Sequence, residues 1–137
     1  MFMLIKLEFS GSEILVEPLE KADELTFIFM EGEKKAEISD VSDKSKKIDN
    51  DVFLSMWDRF INLDFSKILQ ENLNNEGLDG YTLTIHVGSV MNELAVTLWC
   101  PSESKYSEQG CTESAALMKL VNQMMSLAKE NGLKTRF

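Results

Sequence analysis

The chain has 137 residues, and its 23 acidic and 14 basic side chains give a formal net charge of −9. This acidic excess argues against a protein that binds nucleic acid or an anionic membrane surface, because both select clustered Lys and Arg. The hydrophobic fraction of 44% is sufficient for a core, which excludes an acidic disordered tail. The length is that of one domain, which we expect to span residues 1–137.

The sequence also predicts where the protein works. Lys6 and Glu8 interrupt the apolar start of the chain, and no run approaches the roughly 20 apolar residues of a membrane-spanning helix. We therefore expect a soluble, cytoplasmic protein. Cys100 and Cys111 are too far apart for a CxxC unit, and two cysteines are too few for a four-cysteine zinc site. Unpaired thiols are the expectation in a reducing cytosol, although a disulfide between them is sterically possible.

The first forty residues have the pattern of β-strands. Met3–Phe9 alternates apolar with charged residues, which predicts a strand with one buried face. Glu13–Glu17 predicts a second, short strand, and Leu25–Met30 and Lys34–Ser39 predict a hairpin around a glycine-containing turn. The connections are too short for parallel crossovers, so these strands are expected to be antiparallel.

The middle of the chain predicts two helices. Residues 40–48 are polar and contain three lysines, which we interpret as a solvated loop rather than an anion-binding site. A helix follows, capped by Asp49 or Asn50, and its apolar stripe includes Trp57, which is expected in the core. Asp64 is predicted to cap a second, short helix that ends at the turn residues 74–77.

The last part of the chain predicts a hairpin and a long helix. Tyr81–Val87 alternates cleanly, and Leu94–Cys100 runs back as its partner and is stopped by a proline. Ser102–Gly110 is predicted to be a loop, and a helix from about residue 112 to residue 131 follows. Thr112 is the candidate cap of this helix, and Gly132 is its terminating residue.

The order of these elements defines a fold class. It reads β-β-β-β-α-β-β-α, with a short additional helix after the first, and the strands come in antiparallel runs without βαβ alternation. We predict an α+β domain with a single antiparallel sheet of about six strands and two main helices packed on one face.

Few residues suggest catalysis or metal binding. His86 is the one histidine of the sequence and lies on the polar side of a predicted strand, where an exposed position is expected. Cys111, near a helix N-terminus, is a candidate nucleophile, but its only histidine partner would be the distant His86. The acidic residues lack the spacing of a calcium loop. We therefore expect no catalytic residues, no cofactor and no metal.

The acidic charge is concentrated in the middle of the chain. Positions 49–100 hold eight acidic and two basic residues, which is −6 of the total of −9. Such a surface can steer a basic partner toward it, and the alternative is a generic acidic surface that keeps the protein soluble. The candidate partner-binding residues, here called the acidic patch, are Asp58, Asp64, Glu71, Glu76, Asp79 and Glu93.

Residues 78–128 carry a resemblance to a known group of proteins. Asp79-Gly80 leads into a strand, the partner strand ends in Trp99-Cys100-Pro101, and an amphipathic helix, Ala115–Ala128, follows. This arrangement is similar to the small immunity proteins of contact-dependent growth inhibition and related polymorphic toxin systems in bacteria. The resemblance implies a non-catalytic protein that binds a cognate toxin, commonly a basic nuclease domain, and blocks it with acidic groups in place of phosphates.

Two other functions fit the sequence. A structural or chaperone-like accessory subunit, or a homo-oligomeric binding module, would hold a partner with a sheet edge or a helix face. Adaptable contacts for that role would come from Met56, Met118, Met124 and Met125. A small enzyme would use Cys111 or the carboxylates. For an immunity protein we expect a monomer or a weak homodimer that binds neither nucleic acid nor membrane.

Overall fold

The computed structural model describes residues 2–11, 23–75, 80–89 and 92–135 of the chain. Its strands are β1 (Phe2–Ser10), β2 (Asp23–Met30), β3 (Lys35–Asp40), β4 (Ser45–Ile48), β5 (Thr82–Ser89) and β6 (Glu93–Trp99). Its helices are α1 (Asn50–Ile61), α2 (Phe65–Glu71), α3 (Glu103–Glu108) and α4 (Thr112–Glu130). The predicted α+β class is confirmed, because these strands form one antiparallel sheet and α1 and α4 are the two main packed helices.

The N-terminal strand lies in the middle of the sheet. The spatial order is β4-β3-β2-β1-β5-β6, so β1 pairs with β2 on one side and with β5 on the other. Every pairing is antiparallel. In the described part of the chain, β4 and β6 are therefore the two edges of the sheet.

One face of the sheet forms the core. Ile5 of β1 lies opposite Phe27 of β2 and opposite Val87 of β5, and all three side chains are buried. The alternation in Met3–Phe9 predicts this arrangement, because side chains two residues apart point to the same face of a strand. The opposite face is here called the polar face. Its partly exposed residues include Lys6, Glu8, Glu24, Thr84 and His86.

Aromatic side chains join α1 to the apolar face. Phe53 and Phe60 of α1 are fully buried, and Phe53 stacks on Phe29 of β2 with ring centroids 5.7 Å apart. Trp57 stacks on Phe53 at 6.4 Å but remains only partly buried. Trp57 therefore belongs to the margin of the core, where one side of its ring system is available to solvent.

The starts of α1 and α2 are confirmed as predicted. The carboxylate of Asp49 accepts a hydrogen bond from the backbone N–H of Asp51 at 2.8 Å. Asp64 caps α2 in the same way, through the backbone N–H of Lys67 at 3.0 Å. Each carboxylate satisfies an N–H group that has no partner inside its helix. The end of α2 comes earlier than predicted, since Asn72 already follows its last residue.

Of the two predicted ends of α4, the C-terminal end is confirmed and the N-cap is not. Gly132 follows the helix with a φ of 74°, the left-handed conformation that terminates helices, so its predicted role is confirmed. The prediction of Thr112 as the N-cap is wrong. Cys111 occupies that position without a side-chain capping bond, and the Thr112 hydroxyl instead accepts a hydrogen bond from Lys67 Nζ at 3.2 Å.

Residues 40–48 are not entirely a loop, which corrects the prediction. Ile48 of β4 pairs with Ala36 of β3, and the lysines of β4 extend from the sheet edge into solvent. The chain reverses because the buried carboxylate of Asp40 accepts hydrogen bonds from Ser42 and from the backbone N–H of Lys44. A four-residue edge strand with a single buried side chain leaves no alternation in the sequence to detect.

The predicted loop Ser102–Gly110 contains α3, which is a second correction. The hydroxyl of Ser102 caps this helix by accepting a hydrogen bond from the backbone N–H of Lys105. Tyr106 is its one buried side chain. A helix of this length with one buried residue has no apolar stripe, so the period that reveals helices in sequences is missing.

Some predictions fall outside the described residues. These are the strand at Glu13–Glu17 and the acidic residues Glu76 and Asp79.

Candidate protein-binding surface

The acidic residues of the patch have different environments. Asp58 is exposed on α1, and its carboxylate has no hydrogen-bond partner among the described residues. Glu93 begins β6 with a side chain that is 66% exposed, and its carboxylate lies 3.2 Å from His86 Nδ1. Both charges are therefore available to a partner.

Two other members of the patch are used inside the fold. Asp64 is exposed, but its carboxylate caps α2. Glu71 is partly buried and accepts hydrogen bonds from the backbone N–H and the hydroxyl of Ser114, at 2.8 and 2.7 Å. Glu71 thus joins α2 to α4, and its charge is directed inward rather than toward a partner.

An apolar groove lies beside Glu93. It has a volume of ≈ 410 Å³ and is bounded by α1, the start of α2 and the β5–β6 hairpin. Its apolar lining residues are Trp57, Ile61, Phe65, Val87 and Leu94. We call this feature the α1–β6 groove.

The α1–β6 groove presents large apolar side chains to solvent. Ile61 is 54% exposed and Leu94 is 43% exposed, while Trp57 and Phe65 are partly buried. Glu93 is the one charged residue in the described lining. Asp58 and Asp64 each follow or precede a lining residue in the chain. A groove with an apolar floor and the carboxylate of Glu93 in its lining has the composition of a site for a basic protein segment.

The basic residues closest in sequence to the groove are engaged elsewhere. Arg59 Nη1 donates to Gln123 Oε1 at 2.6 Å, toward α4. Lys67 Nζ donates to the Thr112 hydroxyl. Neither residue lines the groove, so no cation of α1 or α2 offsets Glu93 there.

Sequence reasoning found the charges but not the groove. The lining residues come from α1, α2, β5 and β6, and each of them fits the ordinary apolar pattern of its own element. Exposure is the only property that separates Ile61 and Leu94 from core residues, and the fold alone determines exposure.

A second groove lies between α1 and α4. It has a volume of ≈ 740 Å³, and its charged lining residues are Asp51, Arg59, Glu103, Lys119 and Glu130. Its lining holds acidic and basic side chains in similar number, and Arg59 bridges its two helices through Gln123. Because these charges offset one another, the groove favours neither a basic nor an acidic partner.

The methionines proposed as adaptable contacts belong to the core. Met56, Met118, Met124 and Met125 are all buried. An adaptable surface would require these methionines to be exposed, so they provide none, and their flexible thioethers fill space in the core.

His86 is less exposed than predicted. Its side chain is 22% exposed, and its Nε2 atom is buried without a hydrogen-bond partner in the described part of the chain. Cys100 and Cys111 are both free thiols. Within the described ranges, no three residues among His, Cys, Asp and Glu are placed to hold a metal ion.

No described helix is both long enough and apolar enough to cross a membrane. Comparison with protein-family models and with curated protein sequences finds no match for this chain.

Proposed function

We propose that this chain is a non-catalytic immunity protein, which binds a basic protein toxin and neutralises it. The observation that carries the proposal is the α1–β6 groove, where Ile61 and Leu94 are exposed beside the charge of Glu93. Tight interfaces combine a buried apolar centre with a polar rim, and large apolar side chains contribute most of their binding energy. The groove supplies both components on one surface.

The charge of the chain supports the same partner. A net charge of −9 accelerates the encounter with a basic protein and slows the encounter with an acidic one. Asp58 and Glu93 carry exposed carboxylates that a basic nuclease domain would meet in place of phosphates. The acidic patch therefore acts in this proposal through these two residues and the groove.

The test is co-purification of the chain with the protein encoded by the gene immediately upstream. We expect a stable complex and loss of the toxicity of that protein when the two are co-expressed. Absence of a complex, or toxicity that persists despite one, would contradict the proposal.

Charge reversal identifies the surface. The double variant Asp58→Lys/Glu93→Lys should weaken the complex by about tenfold or more and reduce its salt dependence. Glu108→Lys/Glu130→Lys is the matched control, because both residues are exposed acids outside the groove and the change in net charge is the same. If the control weakens binding as much as the double variant, net charge and not this surface determines affinity.

A further inference from the structure

The two edges of the sheet differ in their protection against added strands. β4 has four residues, and Lys46 and Lys47 are exposed on it. Short edge strands and lysines are common devices that prevent a foreign strand from pairing. β6 has seven residues and no basic residue, and Glu93 is its one charge. Among the described residues, only the β4 edge is therefore protected in this way.

The backbone of β6 has groups available for pairing. Cys100 N–H donates to Tyr81 O at 2.8 Å, and Ser89 N–H donates to Asn92 O at 2.7 Å. The backbone N–H and C=O groups of the even-numbered residues of β6 therefore point toward β5. In an antiparallel ladder the N–H and C=O groups of one residue point to the same side. The backbone groups of Ala95 and Thr97 therefore point away from the sheet, and they have no partner among the described residues.

One end of this edge is already closed. The carbonyl of Trp99 accepts a hydrogen bond from Asn75 Nδ2 at 3.0 Å, and Lys105 Nζ lies 5.3 Å from the centre of the Trp99 ring. The open part of the edge thus extends from Glu93 to Thr97. This part of the edge lies beside the α1–β6 groove, because Glu93 and Leu94 belong to the edge strand and also line the groove.

We propose that the open edge of β6 accepts an extended segment of the partner as an additional antiparallel or parallel strand. Alternate side chains of that strand would point into the α1–β6 groove, beside Leu94, and should be apolar. The other side chains would lie on the polar face, beside Glu93, and should be Lys or Arg. The occupant is therefore a strand in which apolar and basic residues alternate, and backbone pairing supplies the rest of the affinity.

Charge favours this occupant over a second copy of the chain. Two copies joined through β6 would bring a second set of exposed carboxylates, including Asp58 and Glu93, toward the first set. Like charges in an interface oppose association, whereas the basic strand neutralises them. The inference rests on the proposed function for the basic character of the partner, but the open edge follows from the described residues of this chain alone.

The test uses isotope-labelled protein and a short synthetic peptide in which Lys and Val alternate. We expect concentration-dependent NMR shifts at the amides of Ala95 and Thr97 and at the indole N–H of Trp57. A peptide in which Glu replaces Lys should cause no such shifts. Shifts that are absent or that lie elsewhere overturn the inference. It is also overturned if the diffusion coefficient of the free protein is that of a dimer and Ala95→Lys restores that of a monomer.

Substitutions on the open edge give a second test. Ala95→Lys should weaken peptide binding by about fivefold or more, because the new lysine at the edge repels the lysines of the peptide. Ser126→Lys makes the same charge change at an exposed position of α4 and should leave peptide binding unchanged. Thr97→Pro removes an outward N–H that the added strand would bond, so the shifts at Ala95 and Trp57 should also disappear. Proline is tolerated at this position because the N–H that it removes faces solvent. Equal effects of Ala95→Lys and Ser126→Lys would overturn the inference.

The two proposals fail separately. If the peptide binds at β6 while the upstream protein does not bind, the docking edge stands and the immunity function falls. If the upstream protein binds and Ala95→Lys leaves its affinity unchanged, the function stands and the docking edge is wrong.

Discussion

The carboxylate of Glu71 accepts two hydrogen bonds from Ser114, one from its backbone N–H and one from its hydroxyl. Ser114 is completely buried near the start of α4, so this pair joins α2 to α4 across 43 residues of sequence. The same hydroxyl accepts a hydrogen bond from Asn72 Nδ2 at 3.1 Å. An acidic residue that sequence reasoning assigned to a partner thus has a structural role.

Glu71→Ala should therefore lower the free energy of unfolding by about 1–3 kcal/mol, because it leaves the buried groups of Ser114 without an acceptor. Asp58→Ala is the matched control and should change stability by less than about 0.5 kcal/mol, since its carboxylate is exposed. Urea denaturation measures both. Equal stability of the two variants would show that the Glu71–Ser114 pair does not stabilise the fold.

The environment of the Asp40 carboxylate leads us to expect a loss of stability in acid. Burial alone would raise the pKa of this carboxyl, but hydrogen bonds from Lys134, Ser42 and Lys44 outweigh burial and hold the pKa below its ordinary value of 3.8. A pKa lowered by folding means that the ionised form stabilises the native state above pH 3.8, and that this stabilisation is lost as the pH falls.

The variant Asp40→Asn tests this prediction. It should be less stable than the wild type near neutral pH, and its thermal midpoint should depend less on pH below pH 3.8. Part of the loss should come from the C-terminal segment, which Asp40 holds through the backbone N–H of Lys134 at 2.8 Å. Parallel pH curves for the two proteins would contradict the assignment.

Tyr106 predicts a loss of stability in alkali. Burial raises the pKa of its phenol from 10.0 to about 12, and its hydroxyl donates to Asn72 Oδ1 at 2.7 Å. Because folding raises this pKa, the stabilisation by the neutral phenol is complete below pH 10 and is lost as the pH rises toward 12.

Tyr106→Phe removes this dependence at a modest cost. We expect it to lower the free energy of unfolding by about 1 kcal/mol near neutral pH, through the lost hydrogen bond. Absorbance of the phenolate should show a late titration in the wild type that is missing in the variant, where Tyr81 alone remains. An early titration of both tyrosines in the wild type would contradict the buried phenol.

No side chain is expected to be tolerated at the position of Gly80. Its φ is 125°, and a Cβ atom there would overlap Cys100 Sγ. Gly80→Ala should therefore destabilise the fold by about 1–3 kcal/mol through strain and displacement of the thiol. Gly32→Ala is the control, because no atom of the described residues lies within 4 Å of its added Cβ. Thermal denaturation should separate the two variants, and equal midpoints would refute the steric argument.

The elements that could be predicted are those with a strong periodic pattern. The alternation in Met3–Phe9 predicted β1, and the caps Asp49 and Asp64 predicted where α1 and α2 begin. β4 and α3 were missed, because each has only one buried side chain and therefore no period. Their positions depend on distant contacts, such as the hydrogen bond between Tyr106 and Asn72.

The candidate surface divides in the same way. Sequence alone determined the acidic excess, its concentration in residues 49–100 and the α+β class, because charge and periodicity are properties of the chain itself. Tertiary structure decided that Glu71 points toward Ser114, that Ile61 and Leu94 share a groove, and that β6 is an edge strand among the described residues. Exposure and edge position depend on which distant segments become neighbours, and no local pattern in the sequence contains that information.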